Sequence, residues 1–331
     1  MSILWCGGED IDFPNGIAVG VGGSPYFRTG YARCGLQDQS GNTSSRSLSF
    51  VGGAVTSAWL HYQVFITSSI GGSIPFAGLG LNSAGNGGIF AGTATSGSAK
   101  CALYKWDGTT LTQLATEAGT SIPVTNGASV QIDIQIINLG ASSTVNVYCH
   151  NVLVITFSGS TVLTGIASLD CVELYGNNNS VSYLMSEFIV SDADTRNFSL
   201  LTMAPNAAGD VNNWTTGTYA NINPTSINDA SVIAVNTTGQ DFQANLIDLP
   251  AGSFGNVQAI KASVRSEITA AAVPTSLKIG VKTGGTVNVD AGHAQTTGFL
   301  TYERLMVTNP VTSAAWLASE MNPLQMDLQS A

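Results

Sequence analysis

Apolar and polar residues alternate with a period of two through much of this chain. Val130-Gln-Ile-Asp-Ile-Gln-Ile136 places Val130, Ile132, Ile134 and Ile136 on one side and Gln131, Asp133 and Gln135 on the other. That is the pattern of a half-buried β-strand. Residues 59–66, 144–148, 152–157, 172–175 and 181–190 are further short β-branched or aromatic runs bounded by Gly, Asn, Ser and Thr, and each is predicted as a strand. Cys149-His150-Asn151 is predicted to close a tight hairpin, and residues 103–114 a second one turning at Asp107-Gly108. Asp-Gly there suits the positive φ angles of a type I′ turn. Many short strands with turn signals every 8–12 residues predict a sandwich.

The second half reads in the same way. It opens with Phe198–Met203, followed by a loop from Pro205 through Trp214 to Pro224. Strands are predicted over 231–236, 241–246, 257–265, 276–282 and 300–307, with one helical turn within 314–321. A boundary is placed near Asp192-Ala-Asp-Thr-Arg196, where a long apolar strand ends and a polar stretch begins. No repeat of fixed period is present, which argues against a solenoid or propeller.

Composition sharpens this picture. Of 331 residues, 44% are hydrophobic and only 10% charged, against roughly 25% charged in an average globular protein. Residues 48–98 contain no Lys, Arg, Asp or Glu; surfaces so poor in charge suit packing in an assembly. The net charge is −10 and the 11 basic residues are scattered, so nucleic acid is not an expected partner. No apolar run reaches the ~18 residues of a membrane span, and the first ten residues lack the basic start of a signal peptide. Five cysteines, all within the first 171 residues, predict cytoplasmic synthesis with largely free, buried thiols.

Candidate chemistry is sparse. Glycan cleavage on a sandwich needs two carboxylates about 5–9.5 Å apart, and no strand carries a Glu-x-Asp or Glu-x-x-x-Glu pair; Glu173 and Glu187 are read as solvated strand positions. No G-x-S-x-G elbow is present, and His61, His150 and His293 are the only histidines. His61 is expected in the core or a groove and His150 at an exposed hairpin tip. The Gly-rich pieces at 71–72, 78–80 and 85–88 lack the phosphate-binding lysine and a following helix, and are read as turning loops. Asp192 and Asp194 alternate as calcium ligands would, although a salt bridge to Arg196 competes for them. Sugar-binding sandwiches stack an aromatic ring on a pyranose and bind its hydroxyls with amides. Tyr26 and Tyr31, near Phe27 and Asn15, have the required types, as does Tyr175 beside Asn177 and Asn178. The competing reading is that these rings cover the sandwich ends.

Tyr104-x-Trp106-Asp107-Gly108, the strand from Val130, the hairpin 145–157 and the closing strand to Asp192 together resemble a concanavalin A-like/laminin G-like lectin domain of phage structural proteins. In that fold the hairpin usually turns through Asn-Gly, where His150-Asn151 stands here. Asp192-x-Asp-Thr-Arg196, then Pro205, Gly209-Asp210 and Trp214, then Asn309-Pro310-x-Thr312-x-x-x-Trp316 are similar to virion and tail-region proteins of tailed phages. The resemblance implies an all-β chain of two β-sandwich domains. Residues 1–196 would form a concanavalin A-like jelly roll, and 197–331 a second, smaller sandwich for docking or assembly. It also implies a non-enzymatic structural component of the virion exterior, tail-tip or fibre-associated and assembled in the host cytoplasm. Its expected partners are other virion proteins, further copies of itself (a trimer by analogy) and a host surface glycan. A capsid decoration or head-fibre protein is the alternative; a glycan depolymerase or a free-standing lectin ranks below both. No cofactor is expected apart from calcium at Asp192 and Asp194.

Overall fold

A computed structural model describes residues 2–14, 19–23, 34–38, 45–67, 73–81, 87–94, 99–123, 125–163, 165–175, 183–223, 227–249, 255–269 and 274–331, with only the backbone for 19–23, 34–35 and 37–38. Internal contacts divide the chain into two units, Met1–Leu200 and Leu201–Ala331. Among the described residues there are strands and short 3-10 turns but no α-helix, and no helix long and apolar enough to cross a membrane.

The first unit carries β1 (Ile3–Gly7), β2 (Val19–Gly23), β3 (Cys34–Asp38), β4 (Ser45–Arg46), β5 (Ala58–Ile66), β6 (Ile74–Gly80) and β7 (Gly88–Thr93). Then come β8 (Cys101–Trp106), β9 (Leu111–Thr116), β10 (Ser129–Ile137), β11 (Ser143–Cys149), β12 (Val152–Gly159), β13 (Cys171–Leu174) and β14 (Tyr183–Ser191). They form two antiparallel sheets. One has eight strands in the order β12-β11-β10-β5-β14-β3-β2, with β1 also paired to β14; the other has six, β4-β13-β6-β7-β8-β9. Leu60, Tyr62, Val64 and Ile66 of β5 and the even-numbered apolar residues of β10 face Ile89, Ala91, Cys101 and Leu103 of the second sheet in one continuous core. The first unit is therefore a two-sheet β-sandwich, as the alternation predicts.

The middle of β10 is buried on both faces, not half-buried: Asp133 and Gln131, opposite the core, are also enclosed. Glu173 and Glu187, expected on solvated faces, are both buried too. The two hairpins exchange the turn chemistry expected of them. Asp107-Gly108 spans a longer loop in which only Gly108 has positive φ, and the Asp107 carboxylate accepts the Thr109 and Thr110 amides (3.0 and 2.6 Å). His150 and Asn151 both adopt left-handed φ, 49° and 67°, the backbone that a type I′ turn demands. Gly78–Gly80 and Gly88 are strand residues, not loops. A Cβ at Gly78 would lie 2.0 Å from the Ile89 carbonyl oxygen, so the backbones of β6 and β7 meet where only glycine fits.

The second unit holds β15 (Pro205–Asn212), β16 (Asp241–Leu246), β17 (Ile260–Ser266), β18 (Ser276–Thr283), β19 (Thr286–Val289), β20 (His293–Ala294), β21 (Leu300–Met306) and β22 (Gln325–Ser330). Six form a sheet, β15-β16-β22-β18-β19 with β20 on β18, and β17-β21 forms a two-stranded ribbon. Ile260, Ala262 and Met306 of the ribbon pack with Val281 of the sheet around Trp316. Residues 205–212 are a strand where the sequence predicts loop, and 231–236 contribute only an isolated bridge at Ala234. Trp316 is buried and its Nε1 donates to the Met306 carbonyl (2.9 Å). Trp214 is only partly buried, against Phe242 (centroids 6.0 Å apart).

Two substitutions test this packing. Trp316→Ala removes the centre of that core and its hydrogen bond, and should cost about 3–5 kcal/mol in denaturant unfolding. His150→Asn should raise stability by up to about 1 kcal/mol, because Asn tolerates the left-handed region better; a lower melting temperature would remove the type I′ turn from the account.

Candidate functional site

The outer face of the six-stranded sheet gathers four aromatic residues, Phe90, Tyr104, Trp106 and Tyr175. Because side chains alternate along β7 and β8, Phe90, Ala102, Tyr104 and Trp106 point away from the main core and form a second cluster with Leu111 and Tyr175. Tyr175 follows the end of β13 and its amide donates to the Phe76 carbonyl (3.0 Å). Its partly buried ring lies edge-to-face with Phe90 (5.9 Å, 78°) and Trp106 (5.5 Å, 86°). Burial raises its phenol pKa. Tyr104 beside it is pushed up to about 12, chiefly by burial. Trp106 Nε1 is a buried donor with no acceptor among the described residues, a costly condition in a folded protein. On the same face Glu173 accepts the Gly87 amide (3.1 Å), and a Cβ at Gly80 would lie 2.4 Å from its carboxylate; glycine there leaves the carboxylate its space.

The outer face of the eight-stranded sheet encloses a polar cluster at its centre. Asp133, on β10 opposite His61 of β5, accepts hydrogen bonds from His61 Nδ1 (2.9 Å), Thr195 Oγ1 (2.9 Å) and Gln131 Nε2 (2.8 Å). Gln131 Nε2 also reaches Asn151 Oδ1 and the Arg196 carbonyl. Ser186 of β14 completes an Asp, His and Ser set across three neighbouring strands, a combination that can activate a nucleophile. Here Ser186 Oγ and His61 Nε2 have no hydrogen-bond partner, and all three residues lack accessible surface. The set is enclosed within the sheet.

Asp192 and Asp194 take different partners. Asp192 Oδ1 accepts the Ser2 amide (2.7 Å). Asp194 grips Arg196 with both oxygens, the shortest contact being 2.5 Å, which holds its carboxyl below the usual range. The guanidinium lies over Tyr148 (4.5 Å) and Trp59 (5.6 Å), themselves stacked at 5.5 Å. Among the described residues no three His, Cys, Asp or Glu are grouped to hold a metal. Of the predicted glycan-binding residues, Tyr175 is placed as above, while Tyr26, Tyr31, Asn177 and Asn178 lie outside the described residues, as do Phe27 and Asn15. Phe90, Trp106, Trp59 and Tyr148 escaped the sequence reading as site candidates. Their alternation within β5, β7, β8 and β11 was the signal available.

No protein-family model matches the chain, and no curated protein does. Among solved structures, it is similar to carbohydrate binding module CBM66 from Bacillus subtilis (8% identity, 53% of this chain and 92% of that one, TM-score 0.34). It is also similar to domain 4 of AbnA, a GH43 extracellular arabinanase from Geobacillus stearothermophilus, in complex with arabinotriose (15%, 60% and 83%, 0.33). Alginate lyase Aly36B is a third (14%, 57% and 95%, 0.35). These are distant likenesses, compatible with a lectin-like β-sandwich and carrying no argument about function.

In the second unit, Asp327 of β22 pairs with Gln243 of β16, whose Nε2 donates to Asp327 Oδ2 (2.8 Å). Asp327 Oδ1 and Gln243 Oε1 are both buried without a partner. Burial raises the Asp327 pKa above 3.8, the Gln243 hydrogen bond opposing. A carboxyl raised on folding contributes stability that is complete below its unfolded pKa and is lost as pH climbs through its folded value. Asp327→Asn keeps an oxygen for Gln243 Nε2 and adds a donor for the orphaned oxygen. The variant should therefore exceed wild type by on the order of 1 kcal/mol at pH 7.5, with the difference shrinking towards pH 4. Denaturant unfolding at the two pH values checks this; a variant weaker at pH 7.5 would mean that the charged form is the one stabilised.

Proposed function

We propose that the first unit is a non-catalytic glycan-binding sandwich, in a chain that serves as a structural component of the exterior of a tailed-phage particle. The observation that carries the glycan reading is Tyr175: a partly buried ring whose orientation is set by ring contacts with Phe90 and Trp106. A ring fixed in advance loses little entropy when a sugar stacks on it. The particle reading is supported by the low charge and by the similarity of the 192–196, 205–214 and 309–316 stretches to virion proteins. Its finer form is a tail-tip or fibre-associated position, with other virion proteins as neighbours.

The experiment is binding of the purified chain to immobilised host-surface polysaccharides, with analysis of released products. Wild type should be retained, Tyr175→Ala should bind at least tenfold more weakly (about 1.4 kcal/mol), and no reducing ends should accumulate. Equal binding by the variant would move the site elsewhere, and steady release of oligosaccharides would make the chain a depolymerase. Immunogold labelling of particles decides its place on them.

A further inference from the structure

Every sheet edge is a row of unpaired backbone groups, and proteins that remain single guard such edges with charge, proline, bulges or brevity. Several edges here are guarded in that way. β4 has two residues, one of them Arg46. β15 contains Pro205 and Asp210 and shifts register twice. β19 has four residues.

The edge strand β12 has none of these guards along most of its length. It runs eight residues, Val-Leu-Val-Ile-Thr-Phe-Ser-Gly, with no charge and no proline. Its one bulge lies beside the hairpin, and from Ile155 to Gly159 its pairing with β11 is regular. None of its backbone groups bonds to anything beyond β11 among the described residues. Val152 and Leu153 are 63% and 49% exposed, and Val162 just beyond the strand 53%. Residues 134–169 contain no Lys, Arg, Asp or Glu, and neither do residues 108–116, which include β9 at the end of the other sheet.

This bears on the occupant, because the chain carries a net charge of −10. Two copies repel each other over most of their surface, and an uncharged flank is where they can approach. An antiparallel strand pair across a two-fold axis sets each residue against one from the same strand. In β12 that opposes Val, Leu, Ile, Thr, Phe and Ser without placing like charges face to face.

We propose that two copies of this chain pair through β12, antiparallel about a two-fold axis, so that their eight-stranded sheets become one continuous sheet. The proposal is independent of the glycan reading. It is tested on the full chain by light scattering after size exclusion, over a dilution series. Wild type should show twice the 34.1 kDa of one chain. Leu153→Lys and Thr156→Lys, at exposed positions, should each return it to one chain without lowering the melting temperature. Hydrogen exchange on wild type serves as the check should either variant fold poorly: the outward amides of residues 152–159 should be protected in the dimer and lose that protection on dilution. Three outcomes would overturn the proposal. They are wild type at the mass of one chain, assembly into three chains, or a dimer whose β12 amides exchange freely.

Discussion

Asp133 is the point on which the first sandwich hangs. Its carboxylate has no contact with water and receives donors from β5, from β10 itself and from Thr195, just beyond the last strand. A buried carboxylate is tolerated only when its oxygens are hydrogen-bonded, and removing a partner leaves an uncompensated charge costing several kcal/mol. The network thus fixes more than a strand pairing. Through Gln131 it holds Asn151 at the hairpin turn and the Arg196 carbonyl. This sets the 192–196 segment over the sheet, where Arg196 covers Trp59 and Tyr148.

The stretches 192–196 and 309–316, singled out in the sequence, take structural roles. In Asp194-Thr195-Arg196 the three side chains form a salt bridge, a bond to Asp133 and a cation–π cover. Asn309 caps its own turn through the Val311 amide and donates to Glu320, while Trp316 fills the core of the second unit. These residues build architecture.

The sandwich of the first unit was legible because strict alternation, as in 130–136, has one physical reading when the apolar face must meet a core. What alternation could not reveal was the fate of the opposite face. Gln131 and Asp133 look solvated until a later segment is known to cross them, and Glu173 looks solvated until glycines are known to make room for it. In the second unit β15 was missed because Pro-Asn-Ala-Ala-Gly-Asp-Val-Asn lacks large apolar residues. Met326 and Leu328 do alternate with Gln325, Asp327 and Gln329 in β22, but polar residues of low strand propensity outnumber them. Tyr175 was singled out beside Asn177 and Asn178 in the sequence; its ring partners Phe90 and Trp106 come from other strands, and only the fold brings them to it.

The most direct measurement is the unfolding free energy of Asp133→Ala, followed by a probe confined to the first unit, such as the burial of Cys101 and Cys149. If the carboxylate organises the sheet, the variant leaves the buried His61, Thr195 and Gln131 donors without their acceptor and should lose about 3–5 kcal/mol, and both thiols should become reactive at denaturant concentrations where wild type still protects them. A variant that unfolds at the wild-type midpoint with its thiols still protected would contradict the account.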